Sequence, residues 1–394
     1  MTALAPSDEH ELAAVVADAA ARKTPLAVNG GGTRTGLGRP VQAAATLTTA
    51  KLAGVTLYEP SELVVSAKAG TPLAEIETLL ATHRQRLAFE PPDYRGLYGS
   101  GGEPTIGAVA AANLSGPRRI QAGAARDSLI GVRAVTGAGT VVKSGGRVMK
   151  NVTGYDLVKF LAGSYGTLGV MTEVTFKVQP LPETEATLAL TGLADDRAIA
   201  AMAAALGSPY FVTGAAHSPA DESEPARTYV RIDGFAASVA ERAENLRVVL
   251  ADFGTASILP EATSRSLWLT ILDLDGFSAP FTTPLWRVSV KPSDGPSIAD
   301  AVRRSFGARI LYDWGGGLIW IAGGEGPDAG AAAVRAAVAK VGGHATLVRA
   351  DESIRNAVEV FEPQSAPVMA LTRKLKATFD PAGILNPGRM YAGV

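Results

Sequence analysis

Leu12, Val15, Val16 and Ala19 recur at three- and four-residue spacing behind Ser7, which predicts a helix with an apolar face, capped at Ser7 and ending near Arg22. The rhythm then changes. Apolar runs at 25–29, 45–48 and 63–67 are too short for helices and read as strands, and helical spacing returns at 72–82. Further on, 133–136 and 141–143 flank Gly137-Ala138-Gly139-Thr140, a hairpin signal, followed by a predicted helix at 155–162 and a strand at 170–178. Pro180 and Pro182 close this pattern, because Pro-x-Pro cannot continue a sheet interior. The alternation predicts an α+β domain over 1–182, made of two subdomains split near residue 58, with room for a ligand between them.

From 286 to 349 the pattern is strand, helix, strand, strand, helix, strand, the order of a split βαβ or ferredoxin-like unit. A weaker, similar order, strand, helix, strand, strand, helix, runs from 185 to 253, so a second domain with one antiparallel sheet is expected over 183–350. Residues 351–394 are expected to return to the first domain.

Composition narrows the functional classes. With 394 residues, 47% of them hydrophobic, the chain has material for two filled cores. Its 37 basic and 38 acidic residues leave a net charge of -1 with no basic run, which argues against nucleic acid as a partner. Without cysteine there is no disulfide, no thiolate nucleophile, no cysteinyl flavin link and no iron–sulfur cluster held by this chain. The acidic start MTALAPSDEHELAAVV does not look like a secretory signal, and no run of 18 apolar residues occurs, so a cytoplasmic location is expected. Docking at the inner membrane through partners stays open.

Two glycine-rich segments carry the candidate chemistry. Gly30, Gly31 and Gly32 follow the apolar run Leu26, Ala27, Val28, and a backbone without side chains can bring its N–H groups close to an anion. The second segment begins at Gly154 and contains Gly163, Gly166 and Gly169 where a helix hands over to a strand. Two such cradles suggest one long ligand with a diphosphate in its middle, although tight turns alone also account for a single glycine triplet. The dinucleotide fingerprint G-x-G-x-x-G fails, since Thr35 stands at its third glycine, and the Walker pattern is absent.

Between and beyond these loops, LAFEPPDYRGLYGSGGEPTIGAVAAANLSG, the continuation through GYDLVKFLAGSYGTLGVMT to Glu183, and the closing FDPAGILNPGRM at 379–390 resemble the PCMH-type FAD-binding domain of the vanillyl-alcohol oxidase superfamily. Within it the nearest resemblance is to the FAD-binding subunits of bacterial glycolate oxidases. The resemblance covers 5–182 and the last twenty or so residues, and is weak in the middle third. It implies bound FAD, a cap domain carrying the substrate-facing groups, and oxidation of glycolate, a 2-hydroxy acid, to glyoxylate. Electrons would pass to partners, a second flavoprotein and an iron–sulfur subunit. A self-sufficient FAD-dependent hydroxy-acid or alcohol dehydrogenase, and a subunit in which FAD is structural, are the alternatives.

Carried over residue by residue, the resemblance implies that Asn29, Gly30, Gly31, Gly32, Thr33, Arg34 and Thr35 hold the pyrophosphate by main-chain N–H groups, with the Thr33 hydroxyl assisting. Pro104, Thr105, Ile106 and Gly107 would lie against the flavin rings, and Ser115 and Gly116 at a second phosphate or the ribityl chain. Gly123, Asp127 and Ile130 would lie near ribose and adenine, Gly169 and Val170 at the adenine edge, and Asn386 to Arg389 near the flavin. Core packing equally explains Ile130 and Val170. No histidine lies between His10 and His83, where the superfamily often attaches its flavin, so the FAD is expected to be non-covalent.

Catalysis is less legible. The four histidines, His10, His83, His217 and His344, show no metal-ligand spacing, so no metal is assigned. The candidates for base or carboxylate work are His217 in a strand-like segment, Arg287 and Lys291 on one face of the alternating run 286–291, Arg231 on another strand, and Arg389. For each, an exposed polar surface or a capping role is the competing reading.

Overall fold

The computed structural model describes residues 2–146 and 156–394; the expected start of a helix at 155 and Gly154 lie outside them. The chain divides into two compact units, one of 1–115, 123–181 and 363–394, the other of 116–122 and 182–362. Residues 351–362, expected with the first domain, thus belong to the second unit, as does the short segment 116–122.

In the first unit the helix Glu9–Ala21 buries Leu12, Val16 and Ala19, as the spacing predicts. Its N-cap is Asp8 rather than Ser7: Asp8 Oδ1 accepts from Glu11 N, and Ser7 donates back to the Glu11 carboxylate. Reciprocal capping of this kind satisfies donors at both ends of one turn. The helix packs on a parallel sheet ordered Thr2–Leu4, Ala45–Thr48, Leu26–Asn29, whose core includes Leu26, Leu47 and Leu385.

A five-stranded antiparallel sheet follows, ordered Val55–Glu59, Val64–Lys68, Val170–Lys177, Leu129–Val135, Val141–Gly145. The strand Val55–Glu59 pairs with Val64–Lys68, so the passage between the two sheets falls at 49–54, before the expected 58. This sheet packs against Leu73–Thr82 and Ile106–Ala112 through Ile76, Leu80, Phe89, Val109 and Phe176.

The second unit is built on one eight-stranded sheet, and both βαββαβ repeats are present. The first places Ser257–Leu259, Thr184–Thr191, Arg227–Gly234 and Val212–Ser218 side by side; the second, Arg309–Asp313, Leu318–Ala322, Leu285–Ser289 and His344–Arg349. The repeats meet through their second strands at the pair His217 and Tyr312. Period-two alternation holds on Leu285–Ser289: Trp286 and Val288 are buried while Arg287 and Ser289 are half-buried.

Candidate functional site

Within the first unit the two glycine-rich segments open on the same cleft. Asn29 to Thr35 line it from one side, Gly166, Gly169 and Val170 from another, and Gly107 with Ala108 from a third. Close approach requires the glycines. A Cβ on Gly30 would stand 2.1 Å from Thr105 Oγ1, and one on Gly31 would stand 1.9 Å from the Glu103 carbonyl oxygen. Gly32 has φ +78°, in the left-handed region, and nothing within 4 Å of where its Cβ would point.

The hydrogen bonds of this loop are one-sided. Its carbonyls are tied back into the protein: Thr49 N donates to Asn29 O (3.0 Å), Thr48 Oγ1 to Gly30 O (2.7 Å), Ser100 Oγ to Thr33 O (2.8 Å) and Arg389 Nη2 to Arg34 O (3.3 Å). Among the described residues, the N–H groups of Gly30, Gly31, Gly32, Thr33 and Thr35 find no acceptor. Backbone donors left without a partner in a folded protein await one, and a run of them is a nest for an anion. Thr105 adds an orphan hydroxyl: the residue is 2% exposed and its Oγ1 has no partner. Apolar walls come from Val28, Leu37, Ala111 and Met171. This donor set and these walls fit FAD.

The C-terminal signature supports the cradle from behind. Asn386 Oδ1 accepts from Val28 N (2.7 Å), and its Nδ2 donates to Val28 O (3.2 Å) and Tyr165 O (2.8 Å). The side chain expected to touch the cofactor is therefore spent on main chain, and clasps the strand before the first glycine loop to the second loop. Arg389 is a strut of the same kind, held against Arg34 O and beside Gly38. Lys376 donates to Thr167 O (2.8 Å) and Leu385 O (2.7 Å) and pairs with Asp380 (2.7 Å). Burial draws its pKa below the usual lysine value, against the pull of Asp380. Arg34 lines the cleft, but its guanidinium turns away to Pro92 O (2.5 Å) and the Tyr94 ring.

Other expected contacts fall elsewhere. Pro104, Thr105 and Ile106 are not in the lining; the buried Thr105 hydroxyl stands behind Gly30. Ser115 Oγ accepts from Ala125 N (2.9 Å), and Asp127 Oδ2 accepts from Ala124 N (2.8 Å) beside Gly123, so both serve local turns. Ile130 is half-buried on its strand. Gly116 lies in the second unit, where its carbonyl accepts from Trp314 Nε1 (3.0 Å). Tyr165 and Gly166 also line the cleft, beyond the contacts expected from sequence; the signal for them is the place of Gly166 in the second glycine cluster.

In the second unit His217 does not face a cavity. It is fully buried, its Nδ1 is 2.9 Å from Thr228 Oγ1 and its Nε2 3.4 Å from Asp195 Oδ1. Asp195 Oδ2 also accepts from Tyr312 (2.6 Å) and Arg303 (2.8 Å). Burial alone would raise the Asp195 pKa; the hydrogen bonds from His217 and Tyr312 and the charge of Arg303 reverse that and bring it down to about 2. His217 is thus part of a closed polar network. Lys291 lies exposed past the strand end, at the start of the turn Pro292–Asp294, because the strand stops at Ser289. Arg231 is 3% exposed and stacks on Trp268 (4.5 Å). Arg287 alone of these candidates is half-buried at the sheet surface, 5.0 Å from the Trp314 ring centre.

No helix among the described residues is long and apolar enough to cross a membrane. Residues 2–145 match the model of the FAD binding domain, and 358–390 that of the C-terminal domain of FAD linked oxidases. The chain is 36% identical over 372 residues to glycolate oxidase subunit GlcE of Escherichia coli K12, covering 94% of this chain and 93% of that one. Glycolate oxidase subunit GlcD of Bacillus subtilis 168 is 30% identical over 186 residues, 47% of this chain and 38% of its own. Among solved structures, 4-ethylphenol oxidase from Gulosibacter chungangensis superposes with a TM-score of 0.71 at 13% identity, over 99% of this chain and 89% of that one. An alkyldihydroxyacetonephosphate synthase does so at 0.71 and 16%, over 98% and 76%. The near full-length match to a glycolate oxidase subunit, with the two FAD-related domain matches, places the chain among the FAD-linked oxidoreductases, in the GlcE family of glycolate oxidase subunits.

Proposed function

We propose that this chain is the FAD-binding subunit of a glycolate-oxidising complex, and that it takes part in converting a 2-hydroxy acid to the 2-oxo acid with release of two electrons and two protons. The observation that carries the reading is the set of unengaged amides of Gly30, Gly31, Gly32, Thr33 and Thr35, on a loop that lines one cleft together with the second glycine loop. When bound, FAD supplies the two-electron acceptor. The chain's residues do the rest: the amides bind the diphosphate, the Thr105 hydroxyl stands behind Gly30, and Asn386, Arg389 and Lys376 hold the loops in place. The first unit is the flavin domain and the second carries substrate-facing groups.

The absence of cysteine in this sequence supports onward passage of electrons to partner subunits, a second flavoprotein and an iron–sulfur protein, since this chain has no thiolate to hold a cluster. Among the described residues, none that lines the cleft is a histidine, and the sequence has no cysteine, which supports a non-covalent FAD. Location in the cytoplasm, with peripheral membrane docking through partners, belongs to the same reading.

The test is to purify the chain alone and record its flavin absorbance and acid-released FAD, then titrate it anaerobically with glycolate, with and without its co-expressed partner subunits. Stoichiometric FAD released by acid, and bleaching that requires the partners, are expected. A chain that takes up no FAD from micromolar excess overturns the reading.

A further inference from the structure

We propose that Arg119, Arg287, Trp314 and His344 form a carboxylate-binding site on one face of the second unit's sheet, and that it takes the carboxylate of a small 2-hydroxy acid; the choice of acid rests on the function proposed above. The site is built around Trp314. Its ring is flanked by two guanidinium groups, with Arg119 Cζ 4.6 Å and Arg287 Cζ 5.0 Å from the ring centre. A guanidinium held against an indole keeps its in-plane N–H groups directed outward around the ring, the orientation that grips a carboxylate through two parallel hydrogen bonds.

The parts are fixed in advance of any ligand. Trp314 Nε1 donates to Gly116 O (3.0 Å), and Trp314 N donates to Asp313 Oδ1 (2.6 Å), which sets the residue at φ +54°. Arg119 rides on the segment 116–122, anchored by a buried ion pair between its neighbour Arg118 and Asp233, and by Arg118 Nη1 donating to Gln121 Oε1 (3.2 Å). Arg287 is held by its strand, directly opposite Trp320 on one side and Thr346 on the other. Ser289, two residues along on the same face, is opposite His344, so His344 stands diagonally across from Arg287.

The electrostatics of this face agree. Desolvation, then the positive charges of Arg287, Arg119 and Arg335, push the His344 pKa below the usual histidine value, against an opposing pull from Glu362. Among these causes it is the charges of Arg287, Arg119 and Arg335 that would attract an anion, whereas the desolvation ahead of them favours no charge of either sign. The imidazole there is neutral near pH 7 and able to donate or accept a hydrogen bond to the hydroxyl beside the carboxylate.

Saturation-transfer NMR on the CH2 protons of glycolate, with glycolamide as the uncharged isostere, tests this on the FAD-loaded chain. Millimolar binding of glycolate, at least tenfold weaker binding of glycolamide, and at least a tenfold loss in both Arg119→Gln and Arg287→Gln are expected. FAD content and unfolding temperature are measured on the same samples and should match the parent. Glycolate affinity unchanged in both variants, equal binding of glycolamide, or no binding of glycolate to the FAD-loaded parent overturns the carboxylate site and leaves the FAD reading standing. Absence of FAD from the parent chain is the separate result that overturns the function.

Discussion

The smallest feature on which the function depends is the missing side chain at Gly31. Its absent Cβ leaves room for the Glu103 carbonyl, which would otherwise be met at 1.9 Å, and that backbone-to-backbone contact holds a loop that lines the cleft. Main chain cannot yield as a flexible side chain does. Gly31→Val is therefore expected to abolish FAD retention, read as flavin-to-protein ratio after gel filtration; a normal ratio would show that the loop is not the cradle. The glycines are readable from sequence as residues that admit a close backbone approach, although the groups that make them necessary, Glu103 and Thr105, come from a distant part of the chain. Asn386 is expected near the flavin but does a different task, since nothing in its neighbours along the chain shows that its amide is consumed by Val28 and Tyr165, more than two hundred residues away.

At the scale of elements, helix and strand periodicity carries most of the information: the second ferredoxin-like repeat is legible from it whole, and the first except for its closing strand Ser257–Leu259. The strand Val55–Glu59 and the helix Glu261–Asp273 are not; the helix buries only Ser264, Trp268 and Ile271 and so shows little of an apolar face. The helix Asp195–Leu206 shows how two elements are joined: Asp195 in its first turn ties the Val212–Ser218 strand through His217 and the Arg309–Asp313 strand through Tyr312. A carboxylate in that position is also favoured by the helix dipole. Because its folded pKa, about 2, lies below the unfolded value, Asp195 stabilises the fold above about pH 4 and loses that contribution as pH falls toward 2. At 1.36 kcal/mol per pH unit this amounts to about 2 kcal/mol. Denaturant unfolding at stepped pH should show Asp195→Asn less stable than the parent at pH 7, with the gap closing between pH 4 and 2. A gap independent of pH would mean that the charge is not what matters.

For the whole molecule, cofactor and fold are linked by mass action. A ligand that binds only the folded state at a hundred times its dissociation constant adds about 2.7 kcal/mol of stability. Added FAD should raise the unfolding midpoint of the flavin-stripped chain in proportion to the logarithm of its concentration, followed by scanning calorimetry, and Gly31→Val should remove that response. A midpoint indifferent to FAD in the parent would contradict the linkage.

Composition, periodicity and glycine spacing by themselves determined the α+β class, the repeat in the second unit, the absence of cysteine thiolates and the glycine loops that line the cleft of the first unit. Each of these depends on what a residue type can or cannot do along its own stretch of chain: glycine admits close backbone, proline stops a sheet, and alternation chooses a face. Tertiary structure decided where polar side chains spend their hydrogen bonds. It buried His217 against Thr228 and Asp195, moved Lys291 off the strand end, turned Asn386 and Arg389 into struts, and drew Arg119 to the same indole as Arg287. The reason is that a polar group's role is set by the partner that folding brings to it, and those partners come from distant parts of the chain.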